Sequence, residues 1–149
     1  MARWAPVALL GVGVLVGYAV SGLAPLRSFI APKALRPACA WSERLDAVRA
    51  APLNHKVLLE NEKVRVLDVT VRPGEREQVH AHCRPSVMYL MQEGIYRDYD
   101  GNGRLLEEVA TAPPASQFPM ILWLGPQGPH AVHNLDSKPT RLLRIELKD

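Results

Sequence analysis

The amino-acid sequence predicts an all-β domain, a sandwich or barrel, preceded by an apolar N-terminal segment. Two observations carry the β assignment: a series of short apolar stretches with a period close to two, and turn residues between them drawn from 13 prolines and 10 glycines. A third, the absence of charge over residues 4–26, sets the N-terminal segment apart.

That segment, APVALLGVGVLVGYAVSGLAPL, has the roughly 20 apolar residues that a bilayer crossing needs. It reads as a transmembrane anchor or signal segment within residues 1–30. Gly22-Leu23-Ala24 has the small-x-small form of a processing site, but Pro25 follows at once, which favours an uncleaved anchor. Arg3 stands on one side of the segment and Arg27, Lys33 and Arg36 on the other, so charge alone leaves the orientation open. The short N-terminal tail favours a periplasmic or other extracytoplasmic domain.

Residues 31–52 read as a linker with a short surface helix. Ser42 is its candidate N-cap, Leu45 and Val48 recur at helical spacing, and Pro52 ends it. Cys39 and Cys83 fit either one disulfide in an oxidising compartment or two thiols in a reducing one.

Residues 53–149 form the predicted domain, a size at which one core is ordinary. Strands are expected at 57–60, 64–71, 78–82, 87–92, 95–99, 104–109, 120–124, 131–135 and 141–147. In the last, Leu143, Ile145 and Leu147 share one face and Arg144 and Glu146 the other, so the apolar row is expected inside and the charged row in water. Residues 98–103, DYDGNG, have the opening of a calcium loop, but Val109 stands where the closing glutamate belongs. Asp-Gly and Asn-Gly between apolar runs mark a hairpin turn instead. The net charge of +3 comes from basic residues scattered among Asp and Glu, which argues against a nucleic-acid surface.

The chemistry concentrates in two stretches. Residues 74–94 read GEREQVHAHCRPSVMYLMQEG, and on a strand the i, i+2 spacing of His80 and His82 aims both imidazoles at one point. Residues 125–134 read GPQGPHAVHN. Together they resemble the two motifs of the cupin superfamily, G-x5-H-x-H-x(3,4)-E-x6-G and G-x5-P-x-G-x2-H-x3-N. Gly74, His80, His82 and Gly94 match the first motif, and His130 and Asn134 match the end of the second. Two departures stand out: Ser86 and Val87 occupy the place of the first motif's glutamate, and one residue instead of two separates Gly128 from His130.

This resemblance covers about the last two-thirds of the chain. It implies a double-stranded β-helix, or jelly-roll barrel, with a cavity for a small ligand and a tendency to form homodimers through an edge strand. It also implies His80, His82 and His130 as ligands of a divalent transition metal. Three neutral imidazoles suit Fe(II), Zn, Ni, Cu or Mn, and Fe(II) is favoured by the likeness to three-histidine dioxygenases of this superfamily. Lacking a ligating carboxylate, such an ion keeps its full formal charge as a Lewis acid.

His133 lies at odd spacing from His130 and should point to the opposite face. His55 has no partner by spacing and is expected in an exposed loop. Arg84 reads either as a solvated strand-end arginine or as a contact for a substrate carboxylate. Tyr89 and Trp123 are candidate cavity walls or core residues, Met88, Met91 and Met120 packing residues, and Cys83 faces away from the metal. The expected function is a metal-binding cupin acting on a small organic molecule, with oxygen-dependent oxidation ahead of isomerisation or hydrolysis. The alternative is a non-catalytic binding or sensor module whose metal site is empty or decayed.

Overall fold

The computed structural model describes residues 39–148. The apolar segment and the membrane assignment made for it lie outside these residues, and among the described residues no helix is long and apolar enough to cross a membrane. Nine strands follow a 3-10 turn (Glu43–Leu45) and a one-turn helix α1 (Ala47–Ala50): β1 His55–Glu60, β2 Val64–Val71, β3 His80–His82, β4 Ser86–Gln92, β5 Tyr96–Asp100, β6 Leu105–Val109, β7 Met120–Leu124, β8 Gln127–Asn134 and β9 Thr140–Leu147. They form two antiparallel sheets, ordered β1-β2-β9-β4-β7 and β3-β8-β5-β6.

All nine expected strands are present, and β2 and β7 have the expected bounds. The largest shift is in β8, which begins at Gln127, four residues before the expected 131. Gly-Pro reads locally as a turn, but residues 127–130 are held by β3, with His80 opposite His130 and His82 opposite Gln127. Tertiary pairing has overridden local preference. The β5–β6 connection is the expected hairpin: Asp100 Oδ1 accepts from the backbone N–H groups of Asn102 and Arg104, both at 2.9 Å, and Gly103 takes the left-handed φ of 85° that the turn requires.

One expectation is reversed. On β9 the inward side chains are Thr140, Leu142, Arg144 and Glu146, all buried, whereas Leu143, Ile145 and Leu147 point outward and are only partly covered. Register explains the outward row. Ile145 lies beside Val87, which lies beside Trp123, and Leu143 lies beside Tyr89, which lies beside Ile121. Together these residues make an apolar outer face. Tyr89 and Trp123 belong to it, and neither lines the cavity.

The apolar core is small. Leu67, Val69, Leu90 and Leu142 are buried together, with Met88, Met120 and Phe118 packed against them. The segment before β1 is fastened to this domain in three ways. Cys39 and Cys83 form a disulfide. Asp46 bridges Ala81 of β3 and caps α1 by accepting from Val48 N–H at 3.2 Å. Ala47 and Ala51 are fully buried, so the short helix expected on the surface seals one side of β3.

Candidate metal centre

The three-residue strand β3 delivers His80 and His82, each about 1% exposed, to one side while Ala81 faces the α1 segment. Direct register with β8 places His130 beside His80, with ring centroids 4.5 Å apart, and 5.8 Å from His82. The expected trio therefore shares one cavity. A fourth imidazole joins it. His55 is not an exposed loop residue: it opens β1, is 3% exposed, and stands 4.5 Å from the His80 ring and 5.3 Å from His82. The ligand nitrogens of His55, His80 and His82 lie within 4.8 Å of one another. His133, by contrast, is half-buried on β8 and lines no part of the cavity.

All four rings are held through the same nitrogen. Nδ1 of His80 donates to Gln78 O at 2.9 Å, that of His130 to Gly128 O at 2.8 Å, that of His55 to Ala51 O at 3.3 Å, and that of His82 to Glu146 Oε1 at 2.8 Å. Carbonyl and carboxylate oxygens only accept, so each ring carries its proton on Nδ1 and presents a bare Nε2 lone pair. No Nε2 of the four has a hydrogen-bond partner among the described residues. Orientation of a histidine by an acceptor on its second nitrogen is the usual support of a metal ligand, and the neutral imidazole set suits a borderline divalent ion.

Burial, foremost, holds these imidazoles below the ordinary histidine range. His55 is lowered to about 4, His80 to about 2, and His82 well below its usual value, with repulsion among the rings and from Arg144 adding to the effect. At neutral pH the cluster is uncharged and ready to bind a cation without losing protons first.

The position of the missing glutamate is now defined. Ser86 faces inward and is fully buried, with its Oγ unpaired, whereas Val87 points to the outer face. Directly beside Ser86, on the neighbouring strand, stands Glu146. This carboxylate lies behind His82 rather than in the cavity. Its Oε2 accepts from Arg65 Nε at 2.7 Å, and Arg65 in turn grips both carboxylate oxygens of Asp46 at 3.0 and 2.8 Å. The fold thus keeps an acid next to that position, where it orients the His82 ring.

Arg84 does not enter the histidine cavity. Its Nη1 lies 3.6 Å from Glu146 Oε2, and it borders a separate cleft with Cys39, Cys83 and Asp46. Asn134, the last residue of the second motif, is a turn brace. It donates to Val71 O and Lys138 O and accepts from Asp136 N–H.

The cavity measures about 300 Å³ and draws its apolar wall from Val69, Met88, Leu122 and Leu142. One basic and four acidic side chains besides the histidines interrupt that wall: Arg144, Glu77, Glu93, Asp98 and Glu107. Burial pushes the Glu77 carboxyl up to about 8, so it is largely protonated at neutral pH, and its Oε1 has no hydrogen-bond partner. Asp98 is likewise raised by burial, against the pull of His130. Arg144 is lowered to about 10 by burial and remains a cation at neutral pH.

No family model matches the sequence, and no curated protein matches it. Among solved structures, the described fold is similar to a cupin domain from Bordetella pertussis Tohama I, at 20% identity over 64% of this chain and 92% of that one, with a TM-score of 0.50. Weaker similarity, at a TM-score of 0.45 each, links it to a double-stranded β-helix protein from Klebsiella pneumoniae (18% identity, 63% of this chain, 75% of that one) and to the polyketide cyclase RemF from Streptomyces resistomycificus (18% identity, 70% of this chain, 72% of that one). The chain has the cupin fold, as its paired histidine motifs imply. Its histidine cluster fits a metal-binding member of that fold.

No spacing signal points to His55, because strand pairing alone carries it to the cluster. Arg144 and Glu146 form a visible i, i+2 charged pair, but the alternation does not reveal that theirs is the inner face. Glu77 had a usable signal, an acid three residues before His80 within the motif stretch.

Proposed function

We propose that this chain is a metal-dependent enzyme of the cupin fold acting on a small organic molecule, with oxygen-dependent oxidation as the first reaction class. The observation that supports this reading most is the common tethering of four imidazoles through Nδ1, which turns four Nε2 lone pairs towards one enclosed space. His80 and His82 would hold the ion together with His55, whose ligand nitrogen lies within 4.8 Å of theirs, and His130, its ring 4.5 Å from that of His80, would serve as a fourth neutral ligand. A divalent ion bound there supplies Lewis acidity and positions where a substrate and a co-reactant can meet. The protein's own part is to exclude bulk water with the apolar wall, to keep the ligands unprotonated, and to hold a proton on Glu77 at neutral pH.

Elemental analysis of the purified full chain after anaerobic supply of Fe(II), Zn or Ni tests this reading. One equivalent of a transition metal is expected, together with loss of at least about 100-fold in affinity for His80→Ala or His82→Ala. A chain that takes up no stoichiometric transition metal would refute the proposal, while metal without oxygen consumption across phenols, diketones and thiols would leave a binding module.

A further inference from the structure

Arg144 is a cation in a place where cations are rare. It is 3% exposed, and removing an arginine from water is costly unless its five N–H groups find acceptors. Only one acceptor is supplied: Nη1 donates to Gln127 Oε1 at 2.6 Å. Nε and Nη2 are buried with no partner, and the residue has no ion pair among the described residues.

The nearby acids Glu146 and Glu77 attract it through space but accept no hydrogen bond from it. Glu146, two residues along the same face of β9, is engaged by Arg65 and His82. Glu77 gives one oxygen to Val132 N–H at 3.3 Å, and its other oxygen is unpaired. A buried guanidinium with two idle donors is therefore a built-in demand for an anion.

Geometry narrows the kind of anion. Nε–H and Nη2–H leave the guanidinium on the same edge and run parallel, which matches the two oxygens of a carboxylate. Arg144 and the four histidines line the same cavity of about 300 Å³, at the low end of the range for ligand pockets. We infer that the cavity takes a small organic carboxylate, gripped side-on by Nε and Nη2 of Arg144 while a second donor group of the same molecule faces the histidines. This rests on the metal-dependent reading above for the second donor group, but not for the carboxylate contact. Arg144, not Arg84, is the specificity-determining arginine.

Two pairs of probes test the assignment in the full chain, each pair differing only in charge: salicylate against salicylamide, and the smaller glycolate against glycolamide. Binding is measured by calorimetry with metal-loaded and metal-stripped protein. The acid of at least one pair should bind about 10- to 100-fold more tightly than its amide, the scale of a charged hydrogen-bonded contact. Arg144→Gln should abolish that preference without changing metal content, and Arg144→Lys should restore part of it, since the charge returns without the fork.

No preference for the acid in the wild-type chain, including no binding of any probe, overturns the inference whether or not the variants fold. An unchanged preference in folded Arg144→Gln also overturns it. If the protein binds no metal but the metal-stripped chain still prefers the acids through Arg144, the metal-dependent reading fails and this inference stands.

Discussion

On β9 the inward residues Thr140, Leu142, Arg144 and Glu146 are buried, and three of the four are polar, while the outward Leu143, Ile145 and Leu147 are only partly covered. The two rows alternate along one strand and invert the usual sorting of residues. The inward row is unevenly supplied with partners: Glu146 meets Arg65 and His82, Arg144 meets only Gln127, and Thr140 Oγ1 meets none. The outward row is gathered into a patch with Ile121 and Trp123, which are 73% and 63% exposed. Hydrophobicity sets how much apolar surface a chain must hide, but a sheet folded around a polar site spends its interior on that site and leaves some of its aliphatic residues outside.

The sharpest way to break this contrast is Glu146→Ala. It removes one of the two acids that hold the buried Arg65, leaving Asp46, and frees the His82 ring, so a loss of about 3 kcal/mol in stability, the lower end for breaking a buried pair, is expected from urea unfolding. Metal affinity should fall about 10- to 100-fold as well, the effect of removing an outer partner of a ligand. An affinity equal to wild type in the folded fraction would show that Glu146 does not orient His82.

Titration sharpens the same contrast. The unfolded histidines gain protons near pH 6.5, whereas folded His55, His80 and His82 resist protonation until much lower pH, so acid favours unfolding. Glu77 and Glu93 act in the opposite sense. Their folded carboxyls are raised by burial to about 8 and about 7, so the stability they contribute is full below about pH 4.5 and is lost as pH rises through those values. Three imidazoles outweigh two carboxyls between about pH 4.5 and 6.5, and stability of the metal-free protein should climb there by about 1 kcal/mol per pH unit. Above pH 6.5 only the carboxyls still act, and stability should decline. Urea midpoints at pH 5, 6.5 and 8 should therefore peak at the middle value, and a monotonic rise to pH 8 would contradict the burial assigned to Glu77.

The smallest effect belongs to the outer face. Trp123→Ser and Ile121→Ser should each stay within about 0.5 kcal/mol of wild type and leave metal binding unchanged, because both side chains are mostly in water already. A loss of several kcal/mol by either would show that this patch is covered in solution.

The fold was legible because its signals are local. Period-two stretches, Gly and Pro turns and the Asp100 hairpin are written in neighbouring residues, and the His80, His82 and His130 spacing carried the topology with it. The site was legible only in part, for a matching reason. His55 reaches the cluster through β1–β2 pairing, and Arg144 and Glu146 reach the interior through the register of β9 with β2 and β4. An alternating strand has two faces, and alternation alone cannot say which one is inside.

The place of β9 in the sheet also has a kinetic meaning. Among the described strands it is the last in the chain, yet it lies in the middle of its sheet, between β2 and β4, pairing Val64 with Leu147 and Ser86 with Glu146. Neither neighbour has its full partner until residues 140–147 arrive, and closing such distant pairs is slow. His82 has its carboxylate partner only once β9 has paired with β4, so the closure of that sheet and the choice of the His82 tautomer are one event.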